Sequence, residues 1–93
     1  MRERREWAFI SSHGVVLVHV ARTPEATVRE LAERVGLTER QAHRVLNDLV
    51  EAGYLVRERV GRRNTYRVNE SQPMRHPTLR HHQVGELLDA LRS

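Results

Sequence analysis

Two helix-start signals lie eleven residues apart in this chain of 93 residues, with one glycine between them. Thr27 is followed three residues later by Glu30, and Thr38 is followed three residues later by Gln41. This spacing is that of a capping box, in which the two side chains bond backbone N–H groups that a helix start leaves without partners. Gly36 suits the left-handed conformation that commonly ends a helix. The sequence therefore predicts two short helices that meet at a steep angle.

An apolar stripe supports each of these helices, which together span residues 27–52. The stripes consist of Val28, Leu31, Ala32 and Val35 on the first helix and of Ala42, Val45, Leu46 and Leu49 on the second. Because an α-helix turns once every 3.6 residues or about 100° per residue, the opposite face of the second helix points directly away from its stripe. That outer face carries Arg40, Arg44, Asn47 and Glu51, with Gln41 and His43 beside it.

Residues 54–69 have the composition of a β-hairpin. Two runs of strand-forming residues, 54–60 and 65–68, are separated by Gly61 and a polar group. The turn is assigned to Arg62, Arg63 and Asn64. This segment contains five arginines and one glutamate, so the predicted hairpin concentrates positive charge.

Residues 7–22 form the predicted first helix region. A short apolar lead ends at Ile10, either Ser11 or Ser12 can cap the helix that follows, and that helix ends near Arg22. Many residues of the segment are β-branched, so local propensity alone equally supports a buried strand. A pair of helices joined at an angle needs a third helix to brace it, which favours the helical interpretation.

The last segment, residues 77–91, predicts another helix. Pro77 suits its first position, where the missing N–H would have no partner in any case. Its apolar stripe consists of Leu79, Val84, Leu87, Leu88 and Leu91. A helix of this length is not stable alone in water, so the stripe must pack either on its own domain or on a second copy of the chain.

Three segments carry a pattern found in a known group of proteins. They are Val35-Gly36-Leu37-Thr38-Glu39-Arg40, Leu49-Val50-Glu51-Ala52-Gly53-Tyr54-Leu55 and Gly61-Arg62-Arg63-Asn64-Thr65-Tyr66. With them, and with the step Arg75-His76-Pro77, the chain resembles small prokaryotic winged helix-turn-helix transcriptional regulators of the MarR and ArsR type. The resemblance covers roughly residues 7–91. It implies one domain over residues 1–93, mainly α-helical with a small β-hairpin, in which a winged helix-turn-helix is followed by an added C-terminal helix.

The resemblance also implies a regulator that binds a specific sequence of double-stranded DNA. Its recognition helix would be residues 38–52 in the major groove, and its wing would be residues 60–65 on the backbone or in the minor groove. The residues expected to contact DNA from the helix are Thr38, Arg40, Gln41, His43, Arg44 and Asn47. Those expected from the wing are Arg57, Arg59, Arg62, Arg63 and Asn64.

The chemistry of the recognition helix suits this role. Arg40 and Arg44 can donate to guanine O6 and N7 or to phosphate, whereas Asn47 and Gln41 match the donor and acceptor of adenine. Thr38 and the helix N-terminus can hold a phosphate. Any amphipathic helix also shows polar residues to solvent. A winged helix that binds protein partners without touching DNA therefore stays open as an alternative.

A homodimer is the expected assembly, because the resembled regulators pair in this way and twofold proteins match twofold sites. The expected interface consists of Trp7, Ile10, Leu79, Val84, Leu87, Leu88 and Leu91. Packing of the last helix onto its own domain is the alternative.

The composition excludes several other classes of protein. The absence of cysteine excludes disulfides, thiolate metal sites and a cysteine nucleophile. All sixteen strongly basic residues are arginine, giving a net charge of +4; a GC-rich genome explains that total, and only the hairpin arginines argue for contact with phosphate. No secretion signal, membrane span, catalytic constellation or phosphate-binding glycine pattern is found, so we expect a cytoplasmic protein that is neither an enzyme nor a cofactor carrier.

Histidines leave a third possibility, a metal- or pH-responsive sensor. His76, His81 and His82 cluster near the last helix. Adjacent histidines on a helix point about 100° apart, and tetrahedral zinc sites need four donors, so no metal site is predicted. His13 and His19 are expected to have their polar atoms satisfied within the fold.

Overall fold

A computed structural model describes residues 8–92 of the protein. The elements in chain order are α1 (Ser12–Arg22), α2 (Val28–Val35), α3 (Glu39–Glu51), β1 (Leu55–Val60), β2 (Arg63–Val68), a 3-10 helix (Pro77–Leu79) and α4 (Val84–Leu91). This arrangement is a mainly helical winged helix-turn-helix with a two-stranded antiparallel wing and a C-terminal helix. The predicted fold class is confirmed.

Both capping boxes form at the starts of α2 and α3. The N–H of Thr27 donates to Glu30 Oε1 at 2.9 Å, and the N–H of Glu30 donates back to Thr27 Oγ1 at 3.1 Å. Thr38 and Gln41 exchange the same two bonds at 2.9 and 3.0 Å. The Thr27 N–H also lowers the pKa of the Glu30 carboxyl, because a hydrogen bond to the charged form favours it. Between the helices, Gly36 adopts the left-handed conformation with φ +77°.

The first segment is a helix, as predicted, and Ser11 is its cap. The hydroxyl of Ser11 accepts a hydrogen bond from the Gly14 N–H at 3.2 Å. The segment is helical despite its β-branched residues because one side of α1 packs into the core. Val16, Leu17 and Val20 are the buried residues on that side. Tertiary packing thus decides a choice that local propensity left open.

The core is formed where α1, α2 and the wing base meet the apolar stripe of α3, and α4 packs against α1. Leu46 lies at its centre and is fully buried. All four predicted stripe residues of α3 are buried, together with Leu31 and Ala32 of α2. Tyr54 and Leu55 extend the core under the wing. The polar face of α3 is consequently the face that points to solvent.

The wing turn is shorter than predicted. Val60 pairs with Arg63, so only Gly61 and Arg62 connect the strands. The assignment of Arg63 and Asn64 to the turn was wrong, since they are the first two residues of β2. Gly61 has φ +62°, and a positive φ at the first turn residue matches the twist of the flanking strands.

The C-terminal segment also differs from its prediction. Pro77 begins only one turn of 3-10 helix, and α4 begins at Val84, so a continuous helix over 77–91 was wrong. The cause is backbone pairing with the preceding chain. Two N–H groups at the start of α4 donate to the carbonyls of Gln72 and Glu70, at 2.8 and 2.9 Å. These are donors that a helix start leaves without partners inside the helix.

Two residues predicted for a dimer interface lie instead in the core of their own domain. Val84 is 2% exposed and Leu88 is 1% exposed, so the inner side of α4 is covered by the same chain. Trp7 falls outside the described residues. The other members of the predicted interface are exposed: Ile10, Leu79, Leu87 and Leu91.

Replacing Gly36 by alanine should lower the free energy of unfolding by about 1–2 kcal/mol, the cost of a left-handed conformation for a residue with a Cβ. No atom lies within 4 Å of the added Cβ, so strain of the backbone is the only expected cost. Gly36→Asn should lose less, because asparagine tolerates this conformation. Urea unfolding measures the effect, with the exposed helix substitution Glu33→Ala as control. Equal stability of Gly36→Ala and Glu33→Ala would contradict the turn described here.

Candidate nucleic-acid interface

The outer face of α3 presents a row of exposed polar side chains. Arg40, Arg44 and Asn47 follow one another along this face, as the helical period predicts, with His43 beside them. Within residues 8–92, the side chains of Arg40, Arg44 and His43 have no hydrogen-bond partner. The guanidinium groups of Arg40 and Arg44 carry a planar fork of donors, which suits an anionic or acceptor-rich surface.

The start of α3 is more constrained. The capping box occupies Oε1 of Gln41 and Oγ1 of Thr38 with backbone N–H groups. The amide N–H2 group of Gln41 is left for another molecule, whereas its oxygen, half of the donor and acceptor pair that adenine recognition uses, is engaged by the helix cap. Thr38 remains at the helix N-terminus, where backbone N–H groups favour an anion.

The wing lies beside the outer face of α3, and one hydrogen bond joins them. Nη2 of Arg57, on β1, donates to Oδ1 of Asn47. The guanidinium of Arg57 also lies over the ring of Tyr66, 5.7 Å from its centroid, within the range of a cation–π interaction. Arg57 and Asn47, both predicted to contact DNA, thus contact each other in the free protein.

The other predicted wing residues differ in whether their side chains have hydrogen-bond partners. Arg59 Nε donates to the carbonyl of Gly61, and Arg63 Nη2 donates to the carbonyl of Glu25 in the α1–α2 turn, both at 3.2 Å. Arg62 lies at the turn, and its side chain has no hydrogen-bond partner in the part of the chain that the structure describes. Asn64 is exposed at the start of β2. Arg62 is therefore the wing arginine that projects most freely.

Two acidic side chains near this surface, Asp48 and Glu58, each have a basic side chain beside them. His13 Nε2 and Asp48 Oδ2 lie 2.8 Å apart, joining the start of α1 to the flank of α3. Glu58 lies 3.7 Å from Arg67 on the wing. No local sequence pattern predicts the contact between His13 and Asp48, because the two residues are 35 positions apart. The guanidinium of Arg67 reduces the repulsion that the Glu58 carboxylate would exert on phosphate.

The remaining histidines make local contacts. His76 Nδ1 lies 2.8 Å from the hydroxyl of Thr78, and His82 Nδ1 lies 2.8 Å from Glu86 Oε1. The pKa of the Glu86 carboxyl is lowered mainly by the hydrogen bond from the Gln83 N–H and, to a smaller extent, by the hydrogen bond with His82. His19 bonds Thr23, and its partial burial lowers its pKa. Among residues 8–92, no three histidine, aspartate or glutamate side chains lie together as a metal site requires.

A family model described as the MarR family matches residues 11–63. The match covers more than half of the chain and contains α1, the helix pair, β1 and the wing turn. The chain belongs to the MarR family. Proteins of this family are winged-helix, DNA-binding transcription regulators. The ArsR part of the resemblance is not confirmed by this match.

No curated protein matches the chain at a significant level. In the described part of this MarR-family chain, none of the helices is both long enough and apolar enough to cross a membrane.

Proposed function

We propose that the protein regulates transcription by binding a specific double-stranded DNA sequence as a homodimer, with α3 in the major groove and the wing on the backbone or in the minor groove. One observation carries this proposal. Arg40 and Arg44 of α3 and Arg62 of the wing, which have no hydrogen-bond partner among residues 8–92, belong to one continuous surface, because the Arg57–Asn47 bond holds the wing beside the outer face of the helix.

The geometry of this surface suits duplex DNA. The major groove is wide enough to admit a helix, and arginine can donate to guanine O6 and N7 or to phosphate. A helix seated there through Arg40 and Arg44 brings the adjoining wing to the neighbouring backbone or minor groove. Contacts to phosphate set the register of the protein on DNA, whereas contacts to base edges select the sequence.

An apolar surface formed by α4 and the N-terminal side of the chain supports the homodimer. Leu87 and Leu91 lie on one face of α4, four residues apart, and are 44% and 39% exposed. Leu91 also lines an open groove of about 680 Å³ with Ile10 and Val15 of the N-terminal side. Apolar residues gathered in this way are typical of an interface. A second copy would cover them and place two α3 helices for a twofold site.

Replacing Arg44 by alanine tests whether α3 reads bases. If Arg44 contacts guanine, the substitution should cost about 1–3 kcal/mol on the preferred duplex and much less on a scrambled duplex. Glu51→Ala, in the last turn of the same outer face, is the control and should not weaken binding to either duplex. Fluorescence anisotropy at fixed salt measures both affinities, with the preferred duplex obtained by selection from random sequences.

Equal losses on the two duplexes would assign Arg44 to phosphate rather than to a base. If the unmodified protein binds no duplex even at low salt, the DNA-binding proposal fails. The alternative role as a protein-interaction module would then be favoured.

Replacing Arg62 by alanine tests the wing. If Arg62 contacts one phosphate, the slope of log K against log salt concentration should become shallower by about one unit, on every duplex alike. Arg80→Ala removes the same charge from an exposed position near the 3-10 helix and should leave the slope unchanged. An unchanged slope in the Arg62 variant would remove this side chain from phosphate contact.

Replacing Leu91 by glutamate tests the dimer. A charge at this position cannot be buried against a second copy without a large cost, so the variant should sediment as a monomer at concentrations where the unmodified protein is a dimer. Val60→Glu changes an equally apolar, exposed residue on the wing and should stay dimeric. Sedimentation velocity measures the assembly. A monomeric unmodified protein, or a dimeric Leu91 variant, would contradict this interface.

A further inference from the structure

On the outer face of α3, the amide oxygen of Asn47 accepts a hydrogen bond from the wing. It follows Arg40 and Arg44 along that face, and Arg57 Nη2 donates to its Oδ1. The two residues are ten positions apart in sequence and belong to different elements. The hydrogen-bonding groups that Asn47 can offer to another molecule therefore depend on Arg57 of β1.

Arg57 is itself held on a second side. Tyr66 is its direct partner across the antiparallel strands, and the ring of Tyr66 lies beneath the guanidinium at 5.7 Å. Tyr66 is half-buried and packs against the hydrophobic core. The guanidinium of Arg57 is thus held between the ring of Tyr66 and the amide of Asn47. An arginine that contacts phosphate would instead extend toward solvent.

The bond fixes which atoms of the amide remain available. A guanidinium can only donate, so the amide atom that faces it must be the oxygen. The guanidinium takes one of the two lone pairs of Oδ1 and covers the oxygen side of the amide, so Asn47 offers chiefly the two N–H bonds of Nδ2. The side chains of Arg40, Arg44 and Asn47 together then present mainly donors.

This orientation changes the base that Asn47 suits. Bidentate recognition of adenine uses the amide oxygen to accept from N6 and the amide nitrogen to donate to N7. Guanine presents acceptors at both O6 and N7, which match a donor group. We propose that Arg57 is a positioning residue that sets Asn47 to select guanine over adenine. The inference rests on the proposed function and specifies the sequence preference of that same surface.

The test uses the full-length chain, the variants Asn47→Ala, Arg57→Ala and Arg57→Lys, and the double variant Asn47→Ala/Arg57→Ala. Each protein selects ligands from a library of random duplexes, and circular dichroism checks that it folds. The position at which the Asn47→Ala selection loses its preference marks the base that faces Asn47. Anisotropy then compares the selected duplex with a copy carrying adenine in place of guanine at that position.

The unmodified protein should favour guanine by about tenfold, and Arg57→Ala should lose most of that preference. Arg57→Lys can still donate to Oδ1 and should keep it. Arg57→Ala should have no further effect in the Asn47→Ala background, because the two residues act as one unit. The salt dependence of binding should stay the same in Arg57→Ala.

Several results would overturn the inference while leaving DNA binding intact. One is a preference for adenine by the unmodified protein, and another is an Arg57→Ala variant that keeps its preference for guanine. An equal loss on both duplexes with a shallower salt slope would make Arg57 a phosphate contact. An Asn47→Ala variant that selects the same sequence would show that Asn47 reads no base. If no duplex binds the unmodified protein at low salt, the proposed function fails instead.

Discussion

The burial of one side of α3 sets both the packing of the domain and the residues that it exposes. Leu46 is fully buried among residues from α1, α2 and the wing base, and this fixes the rotation of the helix about its own axis. Because the side that faces away is set by the same rotation, Arg40, Arg44 and Asn47 must point to solvent. The residues that stabilise the fold and those that form the candidate interface are two faces of one helix. A substitution that rotated α3 would therefore damage stability and recognition together.

Features that depend on local chemistry could be predicted from the sequence, whereas features that depend on distant backbone contacts could not. Capping boxes and a glycine turn act within a few residues, so the helix pair was located correctly. The start of α4 is set by hydrogen bonds to Glu70 and Gln72, which no local signal reveals. The short wing turn follows from strand register, in which Arg63 pairs with Val60. Arginine composition could not show which residues of the wing belong to its turn.

The same distinction between local patterns and distant contacts applies to the candidate interface. Helical period predicted the exposed arginines of α3, but it could not distinguish an arginine that is free from one that is held. Arg62 has no internal partner among residues 8–92, whereas Arg57 is held by Asn47 and Tyr66. The sequence also suggested two roles for Gln41, and in the free protein its amide oxygen serves the helix cap. Positive charge on a winged helix therefore does not by itself identify the groups that read DNA.

We propose that the outer face of α3 and the wing turn form one DNA-binding surface. An NMR titration of the ¹⁵N-labelled protein with a short duplex at low salt tests this proposal, because backbone amide signals report contacts residue by residue. We expect the largest changes at Arg40, Arg44 and Asn47 and at Gly61 and Arg62. Changes confined to α4, or no change on addition of excess duplex, would contradict it.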